Sequence, residues 1–193
     1  MTERRSFRYF DDADWKVVAA ACDRLIPPVD GHPGGRALGC ADYIDALLGA
    51  FTEDPPRIWA GGPFSGRAGG VAAFERFLPL GPLETLAWRT RIEGSRGLPE
   101  REWNGPVRGW QEVYAEGLAA LGSDFCTCDP DTQDRRLDAA PEFKALLYTH
   151  ACEAAYGAPE YGGNRDCAGW TAIGFPGDTQ PRGYTPDEVR GRA

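Results

Sequence analysis

Apolar residues recur at helical spacing along most of this chain. In the first such segment, Asp11–Ile26, an apolar face follows an acidic N-cap, Asp11 or Asp12, and Pro27 ends the helix. The same spacing predicts six further helices: Ala41–Ala50, Val71–Leu80, Leu83–Glu93, Val107–Leu121, Asp129–Leu137 and Pro141–Tyr156. Because no segment shows a sustained alternation of apolar and polar residues, the pattern predicts an all-α fold.

Turn-forming residues interrupt these helices. The chain contains 25 Gly and 16 Pro, and the stretches Val29–Gly39, Phe51–Gly70 and Gly94–Pro106 are rich in them. In the second of these stretches, Trp59 and Phe64 are the apolar anchors, which indicates an ordered loop that packs through its aromatic side chains.

The length of 193 residues is that of about one domain. We predict a single irregular helical domain over residues 11–177, with long Gly/Pro-rich loops and an extended C-terminal segment. An N-terminal tail, residues 1–10, precedes it. A Gly/Pro/charged tail, residues 178–193, follows it.

Charge and hydropathy argue against two classes of partner. The 21 basic and 29 acidic residues give a formal net charge of −8, and no basic stripe with interleaved aromatic residues occurs. We therefore expect no nucleic-acid partner. The longest apolar runs, such as Val17–Cys22, are far shorter than the ~20 residues that span a bilayer, so we expect no membrane insertion.

The N-terminus bears on localisation. Arg4-Arg5-Ser6-Phe7 is similar to the start of a twin-arginine export signal, but no apolar region follows it. As the sequence stands we expect a cytoplasmic protein, and a periplasmic one if the chain is exported together with a partner.

No catalytic machinery can be assigned from the sequence. Neither a phosphate-binding glycine loop nor a nucleophile elbow is present, and there are two histidines. His32 lies in a Gly/Pro loop and is expected to be exposed to solvent, whereas His150 is expected to cap or pack in the core. We name no catalytic, cofactor-binding or metal-binding residue.

Cysteine spacing leaves one metal hypothesis open. Cys126 and Cys128 could share a metal ion with His150, Cys152 or Cys167 as remote ligands, although this is not the usual zinc spacing. The alternatives are reduced buried thiols, or disulfides that join one of the pair to Cys152 or Cys167.

The stretch Tyr161–Gly177, called here the closing segment, differs in character from the helices. It combines adjacent glycines, polar side chains and large aromatic residues, a mixture that suits either a protein interface or a loop folded onto its own helices. Together with two loop aromatics, it supplies our candidate partner-binding residues: Tyr161, Gly162, Gly163, Asn164, Arg165, Asp166, Trp170, Phe175, Pro176, Trp59 and Phe64.

The amino-acid sequence of the closing segment resembles that of a known family. The run Pro159–Asp166, then Gly169-Trp170, then Ile173–Gly177, resembles the C-terminal signature of the gluconate 2-dehydrogenase subunit 3 family. Leu25–Pro28 and Asp42–Asp45 add weaker support.

The resemblance implies a helical, noncatalytic accessory subunit. Its partner would be a large FAD-dependent flavoprotein of the glucose-methanol-choline type that oxidises a sugar or another alcohol. This chain would bind, fold and stabilise that subunit, and FAD and substrate would belong to the partner.

Two rival functions remain at this level. In the first, a loop such as the turn Gly61–Phe64 contributes to the partner's substrate pocket. In the second, the chain is a stand-alone metal-binding protein that uses Cys126 and Cys128.

Overall fold

Helices form nearly all of the regular structure in the computed structural model, which describes residues 7–61 and 78–177. Their bounds are α1 (Asp12–Leu25), α2 (Cys40–Leu48), α3 (Pro82–Glu93), α4 (Trp110–Leu121), α5 (Pro130–Asp138), α6 (Pro141–Tyr156) and α7 (Ala168–Ala172). A short antiparallel ribbon pairs β1 (Trp59–Gly61) with β2 (Leu78–Pro79). The predicted all-α fold is confirmed, with this ribbon as a small addition.

Helix α1 runs through the centre of the core. The Asp11 carboxylate accepts a hydrogen bond from the backbone N–H of Asp14 at 2.8 Å, so Asp11 is the N-cap. Residues 17–22 are all buried, and α1 packs against α2, α4, α5 and α6. Six consecutive residues point to all sides of a helix, and three of them, at 19–21, are alanines, whose small size allows other helices to pack around α1.

Helix α6 is the second major element of the core. Pro141 occupies its first position, where the missing N–H costs no helical hydrogen bond. Its Phe143 ring packs against α4 at Gly117, where a Cβ atom would lie 2.1 Å from the ring. The absence of a side chain at Gly117 therefore allows α4 and α6 to pack closely at Phe143.

A buried carboxylate joins the N-terminal segment to α2. Asp45 is 6% exposed and accepts hydrogen bonds from the backbone N–H groups of Arg8, Tyr9 and Phe10, at 2.8, 3.0 and 2.9 Å. Three donors compensate the carboxylate for its loss of water. Residues 8–10, which the sequence places in a tail, are thereby held against α2, with the Phe10 ring in the core.

Helix α4 begins three residues later than the predicted Val107. The Val107 N–H donates to the Ser95 hydroxyl at 3.0 Å, and the Val107 carbonyl accepts from the Ser95 N–H at 2.9 Å. These bonds close the loop that follows α3. Val107 is therefore committed to a long-range pairing that its local apolar spacing does not reveal.

The predicted helix Val71–Leu80 is wrong at its C-terminal end. Leu78 and Pro79 pair with β1, and a proline lacks the N–H that a helix interior requires. Residues 71–77 lie outside the described residues.

The sequence predicts no membrane insertion. In residues 7–61 and 78–177, no helix combines the length and the apolar character that spanning a bilayer demands.

Candidate functional site

A groove of about 490 Å³ lies between α2, the N-terminal segment, β1 and the start of the closing segment. Two of the predicted partner-binding residues, Trp59 and Tyr161, meet in it although they are far apart in the chain. Their ring centroids are 5.8 Å apart and their planes are tilted by 55°. Phe7, Tyr43 and Trp88 complete the aromatic lining. We call this site the aromatic groove.

Two short pieces of local structure present the first pair of rings. Trp59 opens β1 and is paired with Pro79 of β2, while the preceding Ile58 is buried and anchors the ribbon. Tyr161 ends a turn of 3₁₀ helix, and its N–H donates to the Ala158 carbonyl at 3.1 Å. Both rings are therefore carried by backbone that strand pairing or a hydrogen bond holds in place.

The tyrosines of the groove stay neutral at ordinary pH. Burial, together with the nearby Glu153 carboxylate, raises the pKa of Tyr43, whose hydroxyl donates to that carboxylate at 3.2 Å. Burial also raises the pKa of Tyr161, with a further contribution from Glu160. The two tyrosines of the groove are therefore phenols and not phenolates.

Charged residues at the rim are joined in ion pairs. The Arg8 guanidinium lies 2.9 Å from the Glu53 carboxylate, which is also 3.3 Å from that of Arg57. Arg165 pairs with Asp42 across the other side. The lining also includes Glu160, so the groove combines aromatic rings with charged and polar groups. Such a mixed surface suits an aromatic or apolar group of another molecule that has polar neighbours.

The centre of the closing segment turns inward. Asn164 is 0% exposed: its side-chain amide donates to the Gly157 carbonyl at 2.8 Å, and its carbonyl accepts from the N–H of Gly169 at 2.9 Å. A Cβ atom on Gly163 would lie 2.2 Å from the Ala154 carbonyl oxygen. Both residues therefore dock the segment onto α6.

Trp170 is buried as well. It is 5% exposed, and its indole N–H donates to the Tyr156 carbonyl at 2.6 Å. Phe175 packs edge-on against it at 5.1 Å and remains 41% exposed, and Pro176 is exposed beside it.

The predicted partner-binding residues thus fall into two groups. Gly163, Asn164 and Trp170 lie inside this chain and can act on a partner only by shaping the surface. The residues that present side chain or backbone at the surface are Trp59, Tyr161, Gly162, Arg165, Asp166, Phe175 and Pro176. Phe64 lies outside the described residues, as does all of the Gly61–Phe64 turn except Gly61.

The histidines are both engaged. His32, expected in solvent, is half-buried: its Nδ1 accepts from the Gly34 N–H at 3.1 Å, so its Nε2 carries the proton and donates to the Tyr156 hydroxyl at 3.1 Å. His150 packs in the core as predicted, with its Nδ1 3.0 Å from the Tyr114 hydroxyl. Burial lowers the pKa of His150 to about 4.

The cysteines are free thiols in this structure, and the proposed metal ligands do not converge. Among the residues that the structure describes, no group of three or more His, Cys, Asp or Glu side chains could hold a metal ion. Cys126 is exposed, and the Cys128 thiol donates to the Asp124 carbonyl at 3.5 Å. Within residues 7–61 and 78–177, the two cysteines thus belong to no such cluster, although the Asp124 carboxylate lies 3.8 Å from the Cys128 thiol.

Sequence reasoning missed Tyr43, Asp45 and Trp88 as parts of this site. Tyr43 and Trp88 read as ordinary core residues of helices α2 and α3, and nothing local shows that the groove opens beside them. A signal for Asp45 was available: an acidic residue on the buried face of a helix needs buried donors.

Comparison with known proteins places the chain in a family. A family model described as gluconate 2-dehydrogenase subunit 3 matches residues 12–177, which include α1, both strands of the ribbon and the closing segment. Comparisons with curated proteins and with solved structures gave no match. The family is named for a subunit of a dehydrogenase, which implies a hetero-oligomer. The resemblance carried by the closing segment is therefore confirmed: the chain belongs to the gluconate 2-dehydrogenase subunit 3 family.

Proposed function

We propose that this chain is a noncatalytic accessory subunit that binds and stabilises a large FAD-dependent flavoprotein of the glucose-methanol-choline type. FAD and the sugar or alcohol substrate belong to that partner. Family membership supports a role within a dehydrogenase complex. The observation that carries the proposal is the meeting of Trp59 and Tyr161 in an open, preformed groove.

The aromatic groove has the properties of a protein-binding surface. Tryptophan and tyrosine dominate the binding energy of protein interfaces because they bury much apolar area and lose few rotamers. The groove is preformed, so binding orders little that is not already ordered. A projecting apolar or aromatic side chain of the flavoprotein is the occupant that this lining fits.

Stabilisation of the partner follows from binding. A subunit that binds only the folded form of the flavoprotein shifts its folding equilibrium towards that form, by an amount set by concentration and affinity. We therefore expect the flavoprotein to accumulate in soluble, FAD-loaded form when this chain is co-expressed, and poorly when it is absent.

The test is co-expression of the C-terminally tagged chain with the genes that neighbour its own, followed by purification and an absorbance spectrum. The expected result is a yellow complex with flavin bands. The double variant Trp59→Ser/Tyr161→Ser should lose most of the flavin that co-purifies. The control is Tyr148→Ser, because Tyr148 is 51% exposed, compared with 38% for Tyr161, and does not line the groove.

Two outcomes would contradict the proposal. A colourless, monomeric wild-type chain would remove the flavoprotein partner. An unchanged flavin yield with the double variant would remove the groove as its binding site, provided that circular dichroism shows both variants folded.

A further inference from the structure

A second surface feature lies in the loop between α3 and α4. Residues 94–107, called here the Trp103 loop, present Trp103 at 92% exposure. An indole side chain is seldom left so completely in water on a folded surface, since its burial is strongly favourable. The loop shares no residue with the lining of the aromatic groove.

Side chains within the loop hold it in one shape. The Glu102 carboxylate accepts from the Ser95 hydroxyl at 2.7 Å and from the Gly97 N–H at 3.1 Å. Ser95 is 3% exposed and also pairs with Val107 at the base of the loop. Trp103, next to Glu102, is therefore presented by a closed hydrogen-bonded frame.

The loop turns one charged side chain inward, while Arg96, Glu100 and Asn104 remain exposed. Its charged Arg101 side chain is 9% exposed, bonded to the Gly94 carbonyl at 3.0 Å and 2.9 Å from the Glu93 carboxylate. The apolar side chains of Leu98, Trp103 and Val107 are 38%, 92% and 40% exposed. Polar groups thus close the base of the loop, and Trp103 is the most exposed large apolar side chain among the residues that the structure describes.

We propose that the Trp103 loop is a preformed anchor that inserts Trp103 into an apolar pocket of the flavoprotein subunit. This inference rests on the proposed function for the identity of the partner. Membership in a family of dehydrogenase subunits supplies a protein surface to cover the loop. The net charge of −8 disfavours the other common destination of an exposed tryptophan, an anionic lipid surface.

The chemistry of the anchor defines its receptor. The receptor is an indole-sized apolar cleft with a hydrogen-bond acceptor for the indole N–H, since a buried indole N–H needs a partner. Because the loop is already closed, binding freezes few additional torsions, which concentrates the interface energy on one side chain.

The test compares the affinity of purified variants for the purified FAD-loaded flavoprotein. Trp103→Ser is expected to raise Kd by at least about tenfold, chiefly through faster dissociation. The control, Leu83→Ser, removes an apolar side chain that is 78% exposed on α3 outside the loop, and it should leave Kd unchanged. A Kd for Trp103→Ser within about twofold of the wild type overturns the anchor.

A second measurement follows the indole itself. The difference in emission between the wild type and Trp103→Phe isolates Trp103, which should be quenched by iodide in the free chain and shielded in the complex. Quenching that is unchanged on complex formation also overturns the proposal.

The outcomes separate this inference from the proposed function. If the wild type recruits no flavoprotein, both fail. If wild type and Trp103→Ser bind it equally, the anchor alone fails. If Trp103→Ser binds the flavoprotein normally but no longer sediments with phosphatidylcholine vesicles, the loop is a membrane contact and the anchor is overturned.

Discussion

The closing segment and the Trp103 loop are both irregular, and side-chain hydrogen bonds hold each of them. They differ in the position of their tryptophans, Trp170 and Trp103. The closing segment buries Asn164 and Trp170 against α6. Part of this unusual sequence therefore stabilises the chain's own fold. The Trp103 loop buries Ser95 and most of Arg101 and leaves its tryptophan outside. Unusual sequence alone therefore does not identify an interface, and exposure has to be known.

Glycine substitutions in the closing segment should give the largest effect. A Cβ atom on Gly169 would lie 1.9 Å from the Ala155 carbonyl oxygen, so Gly169→Ala forces the segment away from α6. We expect a loss of about 4 kcal/mol in the free energy of unfolding, measured by urea denaturation.

Gly174→Ala is the matched control for that variant. Gly174 has a φ of +68° and open space around the position of a Cβ atom, so its substitution costs only the backbone strain, about 1 kcal/mol. Equal losses in the two variants would show that the segment does not pack on α6 as described.

Acid titration of the folded protein tests the burial of one polar side chain, that of His150. The pKa of His150 is about 4 in the folded chain, below its ordinary value of 6.5, because burial disfavours the imidazolium. The unfolded chain therefore binds more protons between these values. Protonation of His150 therefore leaves the free energy of unfolding unchanged above pH 6.5 and lowers it by up to about 3 kcal/mol as the pH drops to 4.

The measurement compares urea unfolding of the wild type and His150→Gln from pH 4 to 7. The variant is less stable at neutral pH, because it leaves the Tyr114 hydroxyl without the His150 nitrogen. Its stability should nevertheless depend less on pH in this window. Parallel curves would assign the acid sensitivity to other groups.

Trp103→Ser should have the smallest effect on folding. At 92% exposure the indole contributes little to the core, and we expect the free energy of unfolding to change by less than about 0.5 kcal/mol. Urea denaturation of the isolated chain gives the value. A loss above 1 kcal/mol would mean that Trp103 packs on its own chain, which would remove the contrast between the two regions.

Helices with strong local signals could be predicted from the sequence. Asp11, one of the two N-caps that the sequence offers, caps α1, and α5 begins at Pro130, one residue after the predicted start. Helix α6 has the predicted bounds, because caps and N-terminal prolines act within a few residues. Long-range pairings could not be predicted. The hydrogen bonds between Ser95 and Val107 keep Val107 out of α4, which begins later than predicted. Pro79 lies in a strand where the sequence predicts the end of a helix.

The candidate site was predicted in part. Trp59 and Tyr161 were selected as aromatic residues in turn-rich stretches, yet neither stretch indicates that the two rings meet. For Asn164 the local sequence allowed both an interface and a self-satisfied loop, and only the position of α6 decides between them. The local sequence thus pointed to the residues, but only tertiary packing determines whether each one faces the core or the surface.

The hydrogen bonds from residues 8–10 to Asp45 have a practical consequence for labelling the protein. Phe7 and Arg8 line the aromatic groove, so the chain enters the fold at the rim of the site. A fluorophore attached to the first residue is six residues from Phe7, a reach of at most roughly 20 Å. Such a label would act as a proximity sensor for whatever occupies the groove, whereas a bulky fusion at the same end would compete with it.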